Sequence, residues 1–168
     1  MENSTPDPIK IFRDVAISKI IDKKWTGQPH EAFKHLGNTS KGDAGQEFIT
    51  QYARELGFTA ENFGRTGDQD ITIGNKKFEV KLATEDVSGS YQFNHIRLDY
   101  RYDFIICLGV APSKLFFQIY SKADIATDKA GTLVSMGRGQ NSSFKLTKKK
   151  DDLKDIYKFE KVISKIVK

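Results

Sequence analysis

The chain has 168 residues and a mass of 19.0 kDa, the size of one domain with a real hydrophobic core. Its 38% hydrophobic and 29% charged residues are typical of a folded protein, and no apolar run approaches the roughly 20 residues that span a bilayer. The polar first residues lack the features of a signal peptide, and the single cysteine, Cys107, excludes an internal disulfide and a multi-cysteine metal site. We therefore expect one cytoplasmic domain, residues 1–168, without membrane contact.

The net charge of +5 is concentrated at the C-terminal end of the chain. Residues 145–168 hold nine lysines against four acidic residues, whereas the other 144 residues hold 18 basic and 18 acidic side chains. A basic segment on a neutral body is typical of a surface that binds a polyanion. The same pattern also fits a lysine-rich helix that only faces solvent.

The first part of the chain predicts two amphipathic helices. Asp7 and Pro8 are typical of a helix start, and apolar residues at three- and four-residue spacing predict an N-terminal helix over residues 8–24. A polar stretch of loop or short helix follows. Residues 42–56 predict a second helix, which Gly57 ends.

The rest of the chain predicts mainly strands. Alternating or wholly apolar patterns predict strands at residues 70–73, 76–82, 103–110, 115–120 and 144–146. A short helix and a closing basic helix are predicted at residues 121–129 and 151–167. This order of elements predicts an α/β fold, in which helices flank a mixed β-sheet of four to five strands.

Two of the predicted strands form a hairpin that carries charged residues. Gly74-Asn75 predicts a two-residue turn, and such a turn places Asp70 directly opposite Glu79. Side chains alternate across a strand, so the apolar residues of both strands share the core face. Asp70, Glu79 and Lys81 share the opposite face.

Two carboxylates in directly opposed positions lie roughly 5 Å apart and repel each other. A divalent cation between them offsets this repulsion, and hard oxygen ligands favour Mg²⁺. Such an ion polarises a phosphate and activates water, while the ammonium of Lys81 helps to hold the hydroxide. The hairpin therefore predicts a metal-dependent phosphodiester hydrolysis site. The competing interpretation is an exposed hairpin face with an ordinary Glu79–Lys81 pair.

Asp70, followed after eight residues by Glu79-Val80-Lys81, resembles the PD-(D/E)XK motif of restriction-endonuclease-like nucleases. Gln69 stands where the motif has a proline, which is not a ligand. The helix that carries Glu47 resembles the first core helix of these proteins. The resemblance covers about residues 40–147, and the stretch 91–97 with the strand after it is similar to small bacterial type II restriction endonucleases.

The resemblance implies a restriction-endonuclease-like core and an endonuclease that cuts double-stranded DNA. It implies Mg²⁺ as the cofactor, with Mn²⁺ as a substitute, and it makes Asp70, Glu79 and Glu47 the metal ligands. Lys81 then activates the attacking water. For Glu47 a solvated position at the rim of the helix is the alternative, because it lies at the border of the apolar stripe.

Several polar and basic residues after the hairpin are candidates for DNA contact. Gln92, Asn94 and Arg97 carry the side chains that read bases or clamp phosphates. The alternative is a short helix that turns these polar residues toward water. Further candidate contacts to phosphates are Arg138, Lys148 and Lys149. No nucleotide cofactor is expected, because the glycines near Arg138 do not match a dinucleotide-binding motif.

Three functions follow from this reading. The first is a Mg²⁺-dependent type II restriction endonuclease, which acts as a homodimer or as a monomer that nicks the strands in sequence. The second is a structure-selective or repair nuclease of the same fold. The third is a DNA-binding or assembly module in which the site is vestigial.

Overall fold

The computed structural model describes residues 7–19, 22–64, 66, 68–137 and 142–167, which form five α-helices and two β-sheets. The helices are α1 (Pro8–Ser18), α2 (Glu31–Lys34), α3 (Asn38–Glu55), α4 (Lys122–Ala126) and α5 (Phe159–Ile163). The strands are β1 (Ala60–Asn62), β2 (Ile71–Ile73), β3 (Lys76–Thr84), β4 (Ser90–Ile96), β5 (Phe104–Val110), β6 (Leu115–Ser121), β7 (Leu133–Ser135), β8 (Phe144–Lys149) and β9 (Lys154–Asp155). Within these ranges no helix is both long and apolar enough to cross a bilayer.

The predicted hairpin forms in the predicted register. Ile73 pairs with Lys76, and Ile71 pairs with Phe78, across a turn at Gly74. Gly74 has a φ of 57°, a conformation that glycine adopts without strain. The turn and the alternation of the two strands are local features, which is why the sequence specifies this register.

The larger sheet has six strands in the order β1-β2-β3-β5-β6-β9. β3 and β5 run parallel, and the other neighbouring pairs run antiparallel. The predicted mixed sheet with flanking helices is confirmed. The predicted number of four to five strands was too low, because β1 and β9 are only three and two residues long and show no readable alternation.

Both faces of the larger sheet are covered. One face packs against α3 and α5 through a cluster that includes Ile49, Phe78 and Phe159. The other face packs against a three-stranded sheet in the order β4-β8-β7, through a cluster that includes Phe93 and Ile105. The strand β3 in the middle is therefore covered on two sides, which decides the environment of the hairpin's charged residues.

The N-terminal helix is shorter than predicted. Asp7 caps it, as its Oδ1 accepts the backbone N–H of Ile9 at 2.9 Å, but the helix ends at Ser18 and not at residue 24. Residues 23–25 form a separate 3₁₀ turn, in which Trp25 is buried. The apolar stripe that predicted a buried face is exposed in α1, because no other described element covers it.

The predicted C-terminal helix over residues 151–167 is wrong for most of its length. Two 3₁₀ turns (Lys150–Asp152 and Ile156–Lys158) flank the strand β9, and only α5 is α-helical. β9 forms because its backbone pairs with Phe116 and Phe117 of β6. The apolar side chains of the segment still point inward, since a three-residue spacing suits a 3₁₀ turn as well as an α-helix.

The polar stretch after the hairpin is a strand and not a short helix. β4 pairs antiparallel with β8, with an irregularity between Phe93 and Ile96. His95 lies at this irregularity with a φ of 58°, which is uncommon for a residue other than glycine. Because the alternation of apolar and polar residues breaks at this point, the sequence pattern did not predict the strand.

Candidate active site

The β2–β3 hairpin brings Asp70 and Glu79 together where the two strands stop pairing. The ladder ends one residue before the predicted Asp70–Glu79 pair. Asp70 nevertheless continues the line of β2, because its backbone N–H donates to the carbonyl of Phe78 at 3.0 Å. Its Oδ2 accepts the backbone N–H of Val80 at 2.8 Å, which holds the carboxylate beside β3.

The charge balance around Asp70 is negative. Burial, and after it the neighbouring charge of Glu79, raise the pKa of Asp70 from 3.8 to about 6. The N–H of Val80 and the ammonium of Lys81 act in the opposite direction but do not cancel the shift. The carboxylates of Asp70 and Glu79 face the single ammonium of Lys81, and this excess of negative charge favours added positive charge.

Glu79 is buried, with only 2% of its surface exposed. The ammonium of Lys81 lies 2.5 Å from Glu79 Oε1, and the Lys81 side chain is itself 19% exposed. Removing a carboxylate from water without a cation is strongly unfavourable, and the ammonium of Lys81 supplies that cation for Glu79. The interpretation of an exposed hairpin face is therefore wrong: the pair is covered by protein and reaches solvent on the side of Lys81.

Tyr102 adds a polar group that sequence analysis did not identify. The residue is 3% exposed, and its hydroxyl has no hydrogen-bond partner among the described residues. Burial, followed by the negative charge of Glu79, raises its pKa. A buried hydroxyl without a partner next to a carboxylate is a donor that a bound ligand can use. The sequence around Tyr102 does not predict this position, because Glu79, whose charge acts on the hydroxyl, belongs to the distant strand β3.

Arg97 lies near the same carboxylate but is already paired. Its Nε and Nη2 donate to the two carboxylate oxygens of Asp99 at 2.8 and 2.6 Å, and its guanidinium lies 4.8 Å from the ring centre of Tyr100. These hydrogen bonds, and more weakly the charge of Glu79, raise the pKa of Arg97. Arg97 thus lies beside the candidate active site, but its Nε and Nη2 groups already donate to Asp99.

The other predicted DNA contacts separate into two groups. Gln92, Asn94 and Lys149 are exposed on the outer face of the smaller sheet. Lys148 pairs opposite the buried Tyr91 and therefore points to the inner face, where its ammonium lies 5.4 Å from the ring centre of Tyr120. Alternation along β8 turns Lys148 away from the outer surface that carries the other predicted contacts.

Arg138, predicted to contact a phosphate, lies outside the described residues.

Glu47 does not join Asp70 and Glu79. It is exposed, and its Oε1 accepts a hydrogen bond from Gln51 Nε2 at 3.1 Å on the same helix. The reason is the rotation of α3, which turns Gly45 toward β3, so closely that an added Cβ would lie 3.0 Å from Leu82 Cδ1. In the described part of the chain no three histidine, cysteine or acidic residues are placed to hold one metal ion together.

Within the described part of the chain, Asp70 and Glu79 are the carboxylates that could hold a cation at this position. Two carboxylates with excess negative charge fit Mg²⁺, which keeps several waters and is commonly held by one or two carboxylates together with substrate phosphate. The partnerless hydroxyl of Tyr102 also fits a site that gains a ligand. Mn²⁺ accepts the same oxygen donors.

Comparison with known proteins gives a distant structural neighbour. No family model matches the chain, and no curated protein matches its sequence. A solved structure of the bacterial homing endonuclease I-Ssp6803I is similar with a TM-score of 0.43 and 17% identity, over 54% of this chain and 72% of that one. At this similarity the comparison assigns neither fold nor activity.

Proposed function

We propose that this protein is a Mg²⁺-dependent endonuclease that hydrolyses phosphodiester bonds in double-stranded DNA. The observation that carries the proposal is the junction of Asp70, Glu79 and Lys81. An ammonium lies 2.5 Å from a buried carboxylate, and a second carboxylate beside them has a raised pKa. Two acids and a lysine in a site with excess negative charge match the needs of metal-assisted phosphate chemistry.

Each of the three side chains has a separate role in this proposal. Asp70 and Glu79 hold the ion. When bound, Mg²⁺ (or Mn²⁺ in its place) supplies positive charge that stabilises the additional negative charge of the phosphate in the transition state. The ammonium of Lys81 donates a hydrogen bond to the attacking water, which favours loss of the water's proton to solvent as the new P–O bond forms. The bond to the leaving oxygen then breaks, and that oxygen takes up a proton from solvent.

The ammonium of Lys81 compensates the buried carboxylate of Glu79 in the absence of a bound cation. Lys81 and a divalent ion both need the same carboxylate, so binding of the ion competes with the 2.5 Å contact to Lys81. Lys81 is partly exposed, and its flexible side chain can turn from Glu79 toward solvent and substrate. Lys81 thus acts as a counter-ion in the resting protein and as a hydrogen-bond donor in the reaction.

Gln92 and Asn94 support a sequence-specific enzyme of the type II restriction class. Their side chains are exposed on one strand, and an amide group can donate to and accept from an adenine edge at once. One catalytic site cuts one strand, so a homodimer cuts both strands of a twofold-symmetric target.

The test uses long linear DNA, Mg²⁺ and the variant Lys81→Gln, with Lys77→Gln on an exposed position of the same strand as its control. We expect the natural protein and Lys77→Gln to cut at discrete sites and Lys81→Gln to cut at least about a hundredfold more slowly. Sequencing the fragment ends separates a restriction enzyme from a nuclease that cuts only branched substrates. Undiminished cleavage by Lys81→Gln, or no cleavage of any DNA by the natural protein, overturns the proposal.

A further inference from the structure

A polar cleft opens where the chain passes from the larger sheet to the smaller one. β3 pairs with β2 only up to Phe78, and β4 pairs with β8. β3 and β4 therefore diverge and do not pair with each other. The cleft between them has a volume of about 210 Å³. Its floor is the end of β3 at residues 82–84, and its walls are Asn38 and Lys41 of α3 on one side and Gln92 and Asn94 of β4 on the other.

This cleft lies next to the candidate active site along β3. Its floor begins one residue after Lys81, and its β4 wall leads to Arg97, which interacts electrostatically with Glu79. A strand advances about 3.3 Å per residue, so the middle of the floor lies about 7 Å along β3 from Lys81. That distance is comparable to the step between successive phosphates of one extended nucleic-acid strand.

Lys41 is the cation of this cleft. Its ammonium donates to the backbone carbonyl of Lys34 at 3.1 Å, and among the described residues it forms no ion pair. The positive charge of the neighbouring Lys34 has partners of its own, since its ammonium lies 3.7 Å from Asp22 and 5.0 Å from the ring centre of Trp25. Burial, and then the charge of Lys34, lower the pKa of Lys41. An uncompensated ammonium beside a second cation favours a bound anion.

The carboxylate of Asp86 limits where an anion can bind. Asp86 closes the far end of the cleft, and its Oδ1 accepts the backbone N–H groups of Ser88 and Ser90, each at 2.9 Å. This carboxylate is fixed in its loop and repels a phosphate. A phosphate in the cleft therefore binds away from this carboxylate, at the ammonium of Lys41.

We propose that Lys41 binds the DNA phosphate next to the scissile one on the same strand, and that the cleft between α3 and β4 guides that strand into the active site. The inference rests on the proposed nuclease function. Lysine binds phosphate as a point charge, and such contacts set the register of the DNA without reading its sequence. Lys41 is thus a positioning residue, distinct from the residues that act on the scissile phosphate.

The first measurement is DNA binding as a function of salt, with Ca²⁺ in place of Mg²⁺ to prevent cleavage. Lys41→Gln removes the charge but keeps a donor for the Lys34 carbonyl, and the exposed Lys129→Gln serves as the control. We expect Lys41→Gln to weaken binding and to lower the slope of log K against log salt by about one. Lys129→Gln should leave the slope unchanged, and Lys41→Arg should restore it.

The second measurement locates the contact on the DNA. A neutral methylphosphonate next to the cleavage site should slow cleavage by the natural protein about tenfold, but should not slow Lys41→Gln further, because the two changes remove the same interaction. Independent effects that multiply, or a salt slope equal to that of Lys129→Gln, overturn this inference while Lys81-dependent cleavage still supports the nuclease. If the natural protein cuts no DNA, both proposals fail.

Discussion

The two faces of β3 are both buried but are built from opposite chemistry. Phe78 and Val80 lie in an apolar cluster with α3 and α5, whereas Glu79 and Lys81 form an ion pair beneath the smaller sheet. Apolar burial stabilises a fold without needing partners, but buried charges stabilise it only when every charge is matched. One face of β3 thus maintains the fold, whereas the other holds charged groups whose contribution to stability depends on their pairing.

The largest expected effect is on the apolar face. Phe78→Ala should lower the free energy of unfolding by about 4 kcal/mol, because it leaves a cavity in the cluster beside α3 and α5. Urea denaturation measures this loss. Phe12→Ala is the control, since Phe12 is 76% exposed, and it should change stability by less than about 0.5 kcal/mol. Equal losses at the two positions would contradict the assignment of the core.

On the ionic face, Lys81→Met should lower the free energy of unfolding by about 3 kcal/mol, because it leaves Glu79 buried and charged. The second substitution Glu79→Gln removes that charge, so the double variant should recover most of the loss. Lys77→Met, at an exposed position of β3, should have little effect. No recovery in the double variant would show that Lys81 stabilises the fold by packing alone.

Asp70→Asn should have the opposite effect and raise the free energy of unfolding of the metal-free protein. Because the pKa of Asp70 is raised to about 6 in the folded protein, proton binding favours folding below pH 3.8, and that stabilisation is lost as the pH rises through 6. After allowance for partial exposure, the variant should gain about 2 kcal/mol at pH 8 in EDTA and almost nothing at pH 3.5. A gain that does not depend on pH would contradict this electrostatic origin.

The smallest effect is expected at Tyr102. Tyr102→Phe removes a buried hydroxyl without a partner, so the metal-free protein should be unchanged or more stable by up to about 1 kcal/mol. Tyr157→Phe is the control at an 88% exposed position. Thermal unfolding compares the two variants. A clear loss of stability in Tyr102→Phe would show that the hydroxyl has a partner.

The hairpin could be predicted from sequence because everything that defines it is local. Gly74 allows the turn, and the alternation of β2 and β3 then fixes which residues face each other. The same logic identified Asp70, Glu79 and Lys81 as neighbours. It did not predict that Glu79 is buried, because the covering sheet depends on β4, which pairs with β8 far along the chain, Ser90 opposite Lys149.

Rotations and irregularities set by tertiary packing could not be predicted. The sequence predicts α3, but the contact of Gly45 with Leu82 decides that Glu47 faces solvent and Lys41 faces the cleft. The irregularity at His95 hid β4. In the C-terminal segment, apolar residues three apart fit an α-helix and a 3₁₀ turn equally well, and pairing with β6 decided between them.

Cleavage of a supercoiled plasmid by Asp70→Asn separates the role of this carboxylate in catalysis from its effect on folding, because this variant is expected to be at least as stable as the natural protein. Lost activity then cannot be attributed to unfolding. With Mg²⁺, we predict that the natural protein linearises the plasmid, whereas folded Asp70→Asn leaves it supercoiled. Cleavage by Asp70→Asn at the natural rate would contradict the claim that Asp70 and Glu79 hold the ion that acts on DNA.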